Sequence, residues 1–251
     1  MNREDAQKYL YAAMAAGEAI LEYGGEVSRV EDSIRRICTS YGLPRTDVFC
    51  ITSSIVTTVY FNQEDSCTQT RRITHAENDF DRLGRVNALS RRICTEHTSP
   101  EEVLEELDRI RALPPTPFAR QLLIYALVPA SFTVFFGGNA VDMVISGLIG
   151  PLLLCLKKRL NDARFNALFT ALFCSLAGGF LANLLTVGLS SGNAALISIG
   201  NVMVFIPGVK FTNSFRDLLM GETITGLICL AESLLLAVIV AVGFAASALL
   251  L

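Results

Sequence analysis

The sequence predicts an α-helical membrane protein in which a small cytoplasmic α+β domain precedes five transmembrane helices. Three observations predict it. Charge is divided unevenly: residues 1–117 hold 14 of the 21 Lys and Arg and 19 of the 24 Asp and Glu, whereas the remaining 134 residues hold 7 basic and 5 acidic groups. The second part contains apolar runs of about the 20 residues that a helix needs to cross a bilayer. Its basic residues cluster in alternate connections between those runs, the pattern expected when Lys and Arg are retained on the cytoplasmic side. A net charge of −3 gives no reason to expect a nucleic-acid partner.

Residues 1–117 are long enough to bury a core of their own. The opening MNREDAQKYLYAAM carries charges where a signal peptide needs an apolar stretch, so this domain is expected to stay in the cytoplasm. From Glu4 to Tyr23, Leu10, Ala13, Met14, Gly17, Ile20 and Leu21 recur at helical spacing, and Gly24-Gly25 ends the helix. Ser28-Arg-Val-Glu31 has the form of a capping box. The helix it opens carries Val30, Ile34 and Ile37 on one face, with Glu31/Arg35 and Asp32/Arg36 as i,i+4 pairs. Tyr41-Gly42-Leu43-Pro44 stops it. Thr46–Asn62 is rich in β-branched and aromatic residues, Asp65-Ser66 marks a turn, and Thr68–Thr74 is a return strand. A helix over Asp79–Glu96 follows, packed through Leu83, Val86, Leu89 and Ile93. Ser99-Pro-Glu-Glu102 is a second capping box with proline at the first helical position. Its helix packs through Val103, Leu104, Leu107 and Ile110, and Leu113–Pro117 forms a stiff linker.

Little in this domain suggests chemistry. His75 and His97 have no cysteine or histidine at metal-ligand spacing, and no nucleophile elbow or phosphate loop is present. Ser53-Ser54 and Thr57-Thr58 read as the polar face of a strand. Cys38, Cys50, Cys67 and Cys94 are unclustered and read as reduced thiols; Cys155, Cys174 and Cys229 read as small packing residues in apolar helices. No catalytic residue, metal or cofactor is expected.

In residues 118–251 the predicted spans are about 119–136, 139–156, 165–185, 194–209 and 224–251. Gly137-Gly138-Asn139 is so short that the first two form an antiparallel hairpin. With the N-terminus inside, Lys157-Lys158-Arg159, Arg164, Lys210 and Arg216 all fall on the cytoplasmic side and the C-terminus lies outside. Ser175 with Gly179, Gly178 with Ala182, and Ser146, Gly147 and Gly150 mark close helix packing.

The polar residues of this part are the candidate site. The fourth span starts apolar, contains Asn201, breaks at Ile206-Pro207-Gly208, and resumes with Asn213, Arg216 and Asp217. A broken helix frees backbone groups that must face protein, a cavity or a substrate, and transporters build substrate sites from such breaks. Asn201, Pro207, Gly208, Asn213, Arg216 and Asp217 are therefore the substrate-binding or gating candidates. Glu232 stands ten residues after Glu222, near mid-membrane, and is the main proton-coupling candidate. Asp142, close to the outer end of the second span and plausibly surface-exposed, is the second.

Two long patterns resemble a known family. Gly24-Gly-Glu-Val-Ser-Arg-Val-Glu-Asp32 with Tyr41-Gly-Leu-Pro-Arg-Thr-Asp-Val-Phe49 is similar to the opening signature of the bacterial threonine/serine exporter (ThrE-like) family. Ile206-Pro-Gly-Val-Lys-Phe-Thr-Asn-Ser-Phe-Arg-Asp-Leu-Leu-Met-Gly-Glu222 is similar to its second signature. Arg29, Glu31 and Asp32 fall on the first, and Pro207, Gly208, Asn213, Arg216 and Asp217 on the second. The resemblance implies an inner-membrane exporter of threonine and serine or, in another branch, of succinate. Single-chain members carry about ten helices, so a five-helix chain resembles the large subunit of the split two-component type. That implies a small membrane subunit as partner in a hetero-oligomer. The expected function is thus a subunit of a secondary-active exporter of small polar metabolites. A membrane-anchored sensor or enzyme domain, and a channel or importer, are the alternatives.

Overall fold

The computed structural model describes residues 1–61 and 65–249, so Asn62, the end of the predicted first β segment, and the last two residues of the predicted final span lie outside the described residues. The elements are α1 (Arg3–Glu22), α2 (Val27–Ser40), β1 (Arg45–Ile51), β2 (Ser54–Tyr60), β3 (Ser66–Arg72), α3 (Phe80–Glu96), α4 (Pro100–Arg111), α5 (Phe118–Phe135), α6 (Ala140–Asp162), α7 (Ala167–Leu189), α8 (Ala194–Val202), α9 (Gly208–Leu219) and α10 (Thr223–Ser247). The chain divides into two compact units, residues 1–114 with 215–227, and residues 115–214 with 228–251.

In the first unit α1 is the hub, packing against α2, α3, α4, β2 and β3. Its alanines make this possible: Ala6, Ala12, Ala13, Ala15, Ala16 and Ala19 are all buried, so neighbours approach on several sides. Gly17 lies against Ile34 of α2, where a Cβ would collide with the isoleucine side chain. The end of α1 is a Schellman motif. Gly24 takes φ +84° and donates to Leu21 O, and Gly25 N–H donates to Ile20 O at 2.8 Å. Leu10, Met14, Ile20, Ile34, Ile37, Ile55, Ile93 and Leu107 form the fully buried core.

Two local expectations change. The Ser28–Glu31 capping box does not form, because α2 starts at Val27 with Glu26 at the cap. Glu31 instead accepts the Cys50 N–H of β1 at 3.0 Å, a longer-range use for the same carboxylate. The β-rich stretch is a hairpin, β1 and β2 turning at Thr52-Ser53, and β3 completes an antiparallel sheet in the order β1-β2-β3. Thr57 faces the core between Ile55 and Val59 and is fully buried, so it does not belong to the polar face. At α4 half of the predicted box forms: Ser99 accepts the Glu102 N–H and Pro100 occupies the first turn, while the Glu102 carboxylate lies 3.6 Å from Arg92.

In the second unit four helices of the described residues are long and apolar enough to cross a membrane: α5, α6, α7 and α10. The predicted fourth span, about 194–209, is not one helix. α8 has nine residues, about 13 Å of helix against the ~30 Å of a hydrocarbon core. The physical reason lies in the sequence after it, where Pro207 offers no N–H to continue the ladder. The second span extends past 156 to Asp162, carrying the Lys157–Arg159 cluster on its last two turns.

Small residues set the contacts. Pro129 inside α5 leaves the Tyr125 carbonyl without its helical donor, and Gly150 of α6 is seated on that oxygen, where any Cβ would clash. Gly200 of α8 lies on Thr133 and the Pro129 carbonyl. Gly178 and Gly179 of α7 meet Phe244 and Ser247 of α10, and Gly243 meets Ser175. These contacts use the small residues singled out in α6 and α7.

Candidate functional site

The break after α8 is the centre of the second unit's polar groups. Val204 N–H reaches Asn201 O at 3.4 Å and Phe205 N–H reaches Val202 O at 2.9 Å, so the helix tightens into three-residue turns. Gly208 N–H then bonds Ile206 O at 2.8 Å and α9 begins. Among the described residues no backbone N–H reaches the carbonyls of Met203, Val204 and Phe205. Asn201 sits one turn before them and is fully buried. Its Nδ2 donates to Ser146 Oγ of α6 at 3.0 Å and to Ile197 O at 3.0 Å. Its Oδ1 is buried without a donor. An unpaired buried acceptor costs about 1–3 kcal/mol, so this oxygen is one of the most strained polar groups of the unit.

Asp142 is buried, not surface-exposed. Asn139-x-x-Asp142 forms the capping box of α6, in which Asn139 N–H donates to Asp142 Oδ2 at 3.0 Å. Asp142 Oδ1 accepts the Asn193 N–H at 2.6 Å, immediately before α8. Both oxygens thus hold backbone donors at two helix starts. That is a structural task, and it accounts for a carboxylate in this position without proton transfer.

Glu232, about 14 Å along α10 from Thr223, is ion-paired with Lys210 of α9. The pair is not enclosed, since the Glu232 side chain is 54% exposed. Asn213 is half-buried, and its side chain makes no hydrogen bond among the described residues. Pro207 and Gly208 shape the break, and neither carries a functional side chain.

Arg216 and Asp217 belong to the first unit. Arg216 NH1 contacts Glu26 Oε1 at the cap of α2. Asp217 is buried beside them, and burial raises its carboxyl above the usual range, with the nearby Glu26 charge adding to the rise. Glu31 is raised in the same way, by burial first and by the Glu222 charge next, against the lowering effect of the Cys50 N–H. Glu26, Glu31, Asp217 and Glu222 therefore form a carboxylate-rich seam, with Arg216 on Glu26 and Arg35 on Glu31 as its guanidiniums. No group of three or more His, Cys, Asp or Glu among the described residues is arranged to hold a metal. Asp32 pairs with Arg36 at 2.8 Å, and Arg29 lines a groove between α2 and α3.

The predicted set therefore separates. Asn201 and the Pro207-Gly208 break go together with Ser146, which sequence reasoning treated as a packing residue. Arg216 and Asp217 go with Glu26, which it did not single out. The Asn139-x-x-Asp142 spacing was a readable signal for the Asp142 cap; a contact between residues 26 and 216 had none.

A family model, ThrE, described as "Putative threonine/serine exporter", matches residues 11–251. No curated protein and no solved structure matches the chain.

Proposed function

The chain belongs to the threonine/serine exporter family, a transporter family and not an enzyme family, and on that premise we propose a specific part for it. It is a subunit of a secondary-active exporter of small polar metabolites in the cell inner membrane. The observation that carries this reading is the interrupted helix between α8 and α9, with Asn201 Oδ1 buried without a donor and, among the described residues, no backbone N–H on the carbonyls of Met203, Val204 and Phe205. All four groups are acceptors. A hydroxylated amino acid brings an ammonium and a hydroxyl, both donors, whereas succinate at neutral pH brings none. The site therefore favours threonine or serine over the C4 dicarboxylate.

The topology that fits this role has the N-terminus in the cytoplasm and the C-terminus outside. Residues 215–227 fold in one unit with residues 1–114, so both stretches occupy one side of the membrane. Three spans, α5 to α7, leave the chain on the other side. The stretch from Ala194 to Ser214 must then bring it back, and if helical it would cover roughly 30 Å. This supports a fifth, broken crossing. A partner is supported by the Lys210–Glu232 pair: charged side chains at membrane depth face protein or water, and half of this carboxylate is uncovered in the single chain. A small membrane subunit covering α9 and α10 would complete the pathway in a hetero-oligomer.

The test is efflux of labelled threonine and succinate from vesicles holding this chain with a candidate small subunit. Asn201→Ala removes one hydrogen bond to a charged donor and should lower threonine efflux by roughly tenfold. Undiminished efflux by that variant would remove Asn201 from the site, and efflux of succinate alone would overturn the substrate reading.

A further inference from the structure

The groove between α2 and α3 in the first unit is not used by the transport reading. It is a cleft of about 470 Å³, within the ~300–1,000 Å³ of small-molecule sites. Arg29, Ser33 and Arg36 of α2 line it at i, i+4 and i+7, and Asn87, Arg91 and Cys94 of α3 face them with the same spacing. Each helix thus turns a polar stripe toward the other above its apolar one, Val30, Ile34 and Ile37 against Val86, Leu89 and Ile93.

The charges in the groove do not balance. Three guanidiniums line it against a single carboxylate, Asp32, and Asp32 is held by Arg36 at 2.8 Å. Across α2, α3 and α4 every arginine except Arg29 and Arg91 meets a carboxylate within salt-bridge distance. The contrast matters because residues 1–117 carry more acidic than basic groups. Among the described residues, Arg3, Arg29, Arg72 and Arg91 are the arginines of residues 1–117 that meet no carboxylate at that distance, and two of these four line this cleft from facing helices. Guanidinium forks on two facing helices, with polar neighbours, are groups that can bind a planar or tetrahedral oxyanion in bidentate fashion.

We propose that the α2–α3 groove is a binding site for a small soluble oxyanion, carboxylate or phosphate, held by Arg29 and Arg91. Ser33 and Asn87 supply the remaining hydrogen bonds, and Asp32 keeps Arg36 out of the way. The site does not depend on the transport reading, since none of its residues belongs to the broken helix.

Cys94 supplies a local reporter. It is half-buried in the groove, and the Asp32–Arg36 pair is close enough to act on its thiol electrostatically. The experiment measures alkylation of Cys94 by N-ethylmaleimide in the full-length protein in detergent, located by mass spectrometry. Succinate and inorganic phosphate are the two probes, against sodium chloride at matched ionic strength. At about twice the dissociation constant either probe should slow alkylation roughly threefold. Which of the two protects at lower concentration identifies the anion as carboxylate or phosphate. Arg29→Gln with Arg91→Gln should abolish protection. Both side chains are exposed, so the melting temperature should stay at the wild-type value and report a folded domain, and protection is read against each variant's own unliganded alkylation rate. Equal protection by chloride, protection that survives in the double variant, or no protection by either probe overturns the proposal.

Discussion

Replacing Arg216 with glutamate tests whether the last turn of α9 is held to the N-terminal helices by charge. In the wild type Arg216 meets Glu26, with side chains 50% and 19% exposed. A pair this open to water contributes at most about 1 kcal/mol. The substitution removes that attraction and sets a new carboxylate beside Glu26 and near Asp217, a repulsion of similar size. The total is about 2 kcal/mol, which lowers the ratio of docked to undocked segment by roughly 30-fold. Limited proteolysis reads this directly, through cleavage at Phe215, Leu218 and Leu219 under conditions where the rest of the chain is intact. Arg216→Glu should be cut about 30 times faster, and the reciprocal exchange, Glu26→Arg with Arg216→Glu, should return the rate to within about threefold of wild type. A cleavage rate unmoved by Arg216→Glu, or an exchange that leaves the double variant as labile as the single one, would refute the reasoning.

Two further outcomes follow from the same residues and from α10. Asp217 and Glu31 both have folded-state carboxyls raised by burial and by neighbouring acids, so their protonation favours the docked segment. Their contribution is complete below the ordinary carboxylate range and is lost as pH rises through the raised values. Proteolysis of residues 215–222 should therefore accelerate from pH 5 to pH 8, and Asp217→Asn with Glu31→Gln should flatten that slope; a slope of opposite sign would be fatal. For Glu232, Glu232→Gln should flatten the pH dependence of threonine efflux at normal protein levels. An unchanged profile would leave the carboxylate only its pairing with Lys210.

Local regularities were readable in advance and long-range pairings were not. The stripe of Leu10, Met14, Ile20 and Leu21 fixed α1 because helical periodicity depends on near neighbours alone. Ser28-x-x-Glu31 carried the right residues for a cap, yet Glu31 was claimed by a strand 19 residues away. That competition has no local trace. Pro207-Gly208 announced the break in the fourth apolar segment. Hydropathy nevertheless counted it as a span, since an apolar average is blind to where the hydrogen-bond ladder stops. Arg216 looked like a cavity residue because its membrane context was visible and its partner, 190 residues earlier, was not.

The carboxylate of Asp142 joins the first turn of α6 to the residue that opens α8. A single side chain therefore acts as a pin for one end of the interrupted helix, while the other end is tied to α6 by the Asn201–Ser146 hydrogen bond and runs on into turns. Rotation of α8 against α6 has its fulcrum there, and displacement grows with distance from it. A swing of ten degrees over about 13 Å carries the far end by roughly 2 Å. That end bears Asn201 and leads into the break, so a slight tilt at the pin would redraw the geometry of the proposed solute site.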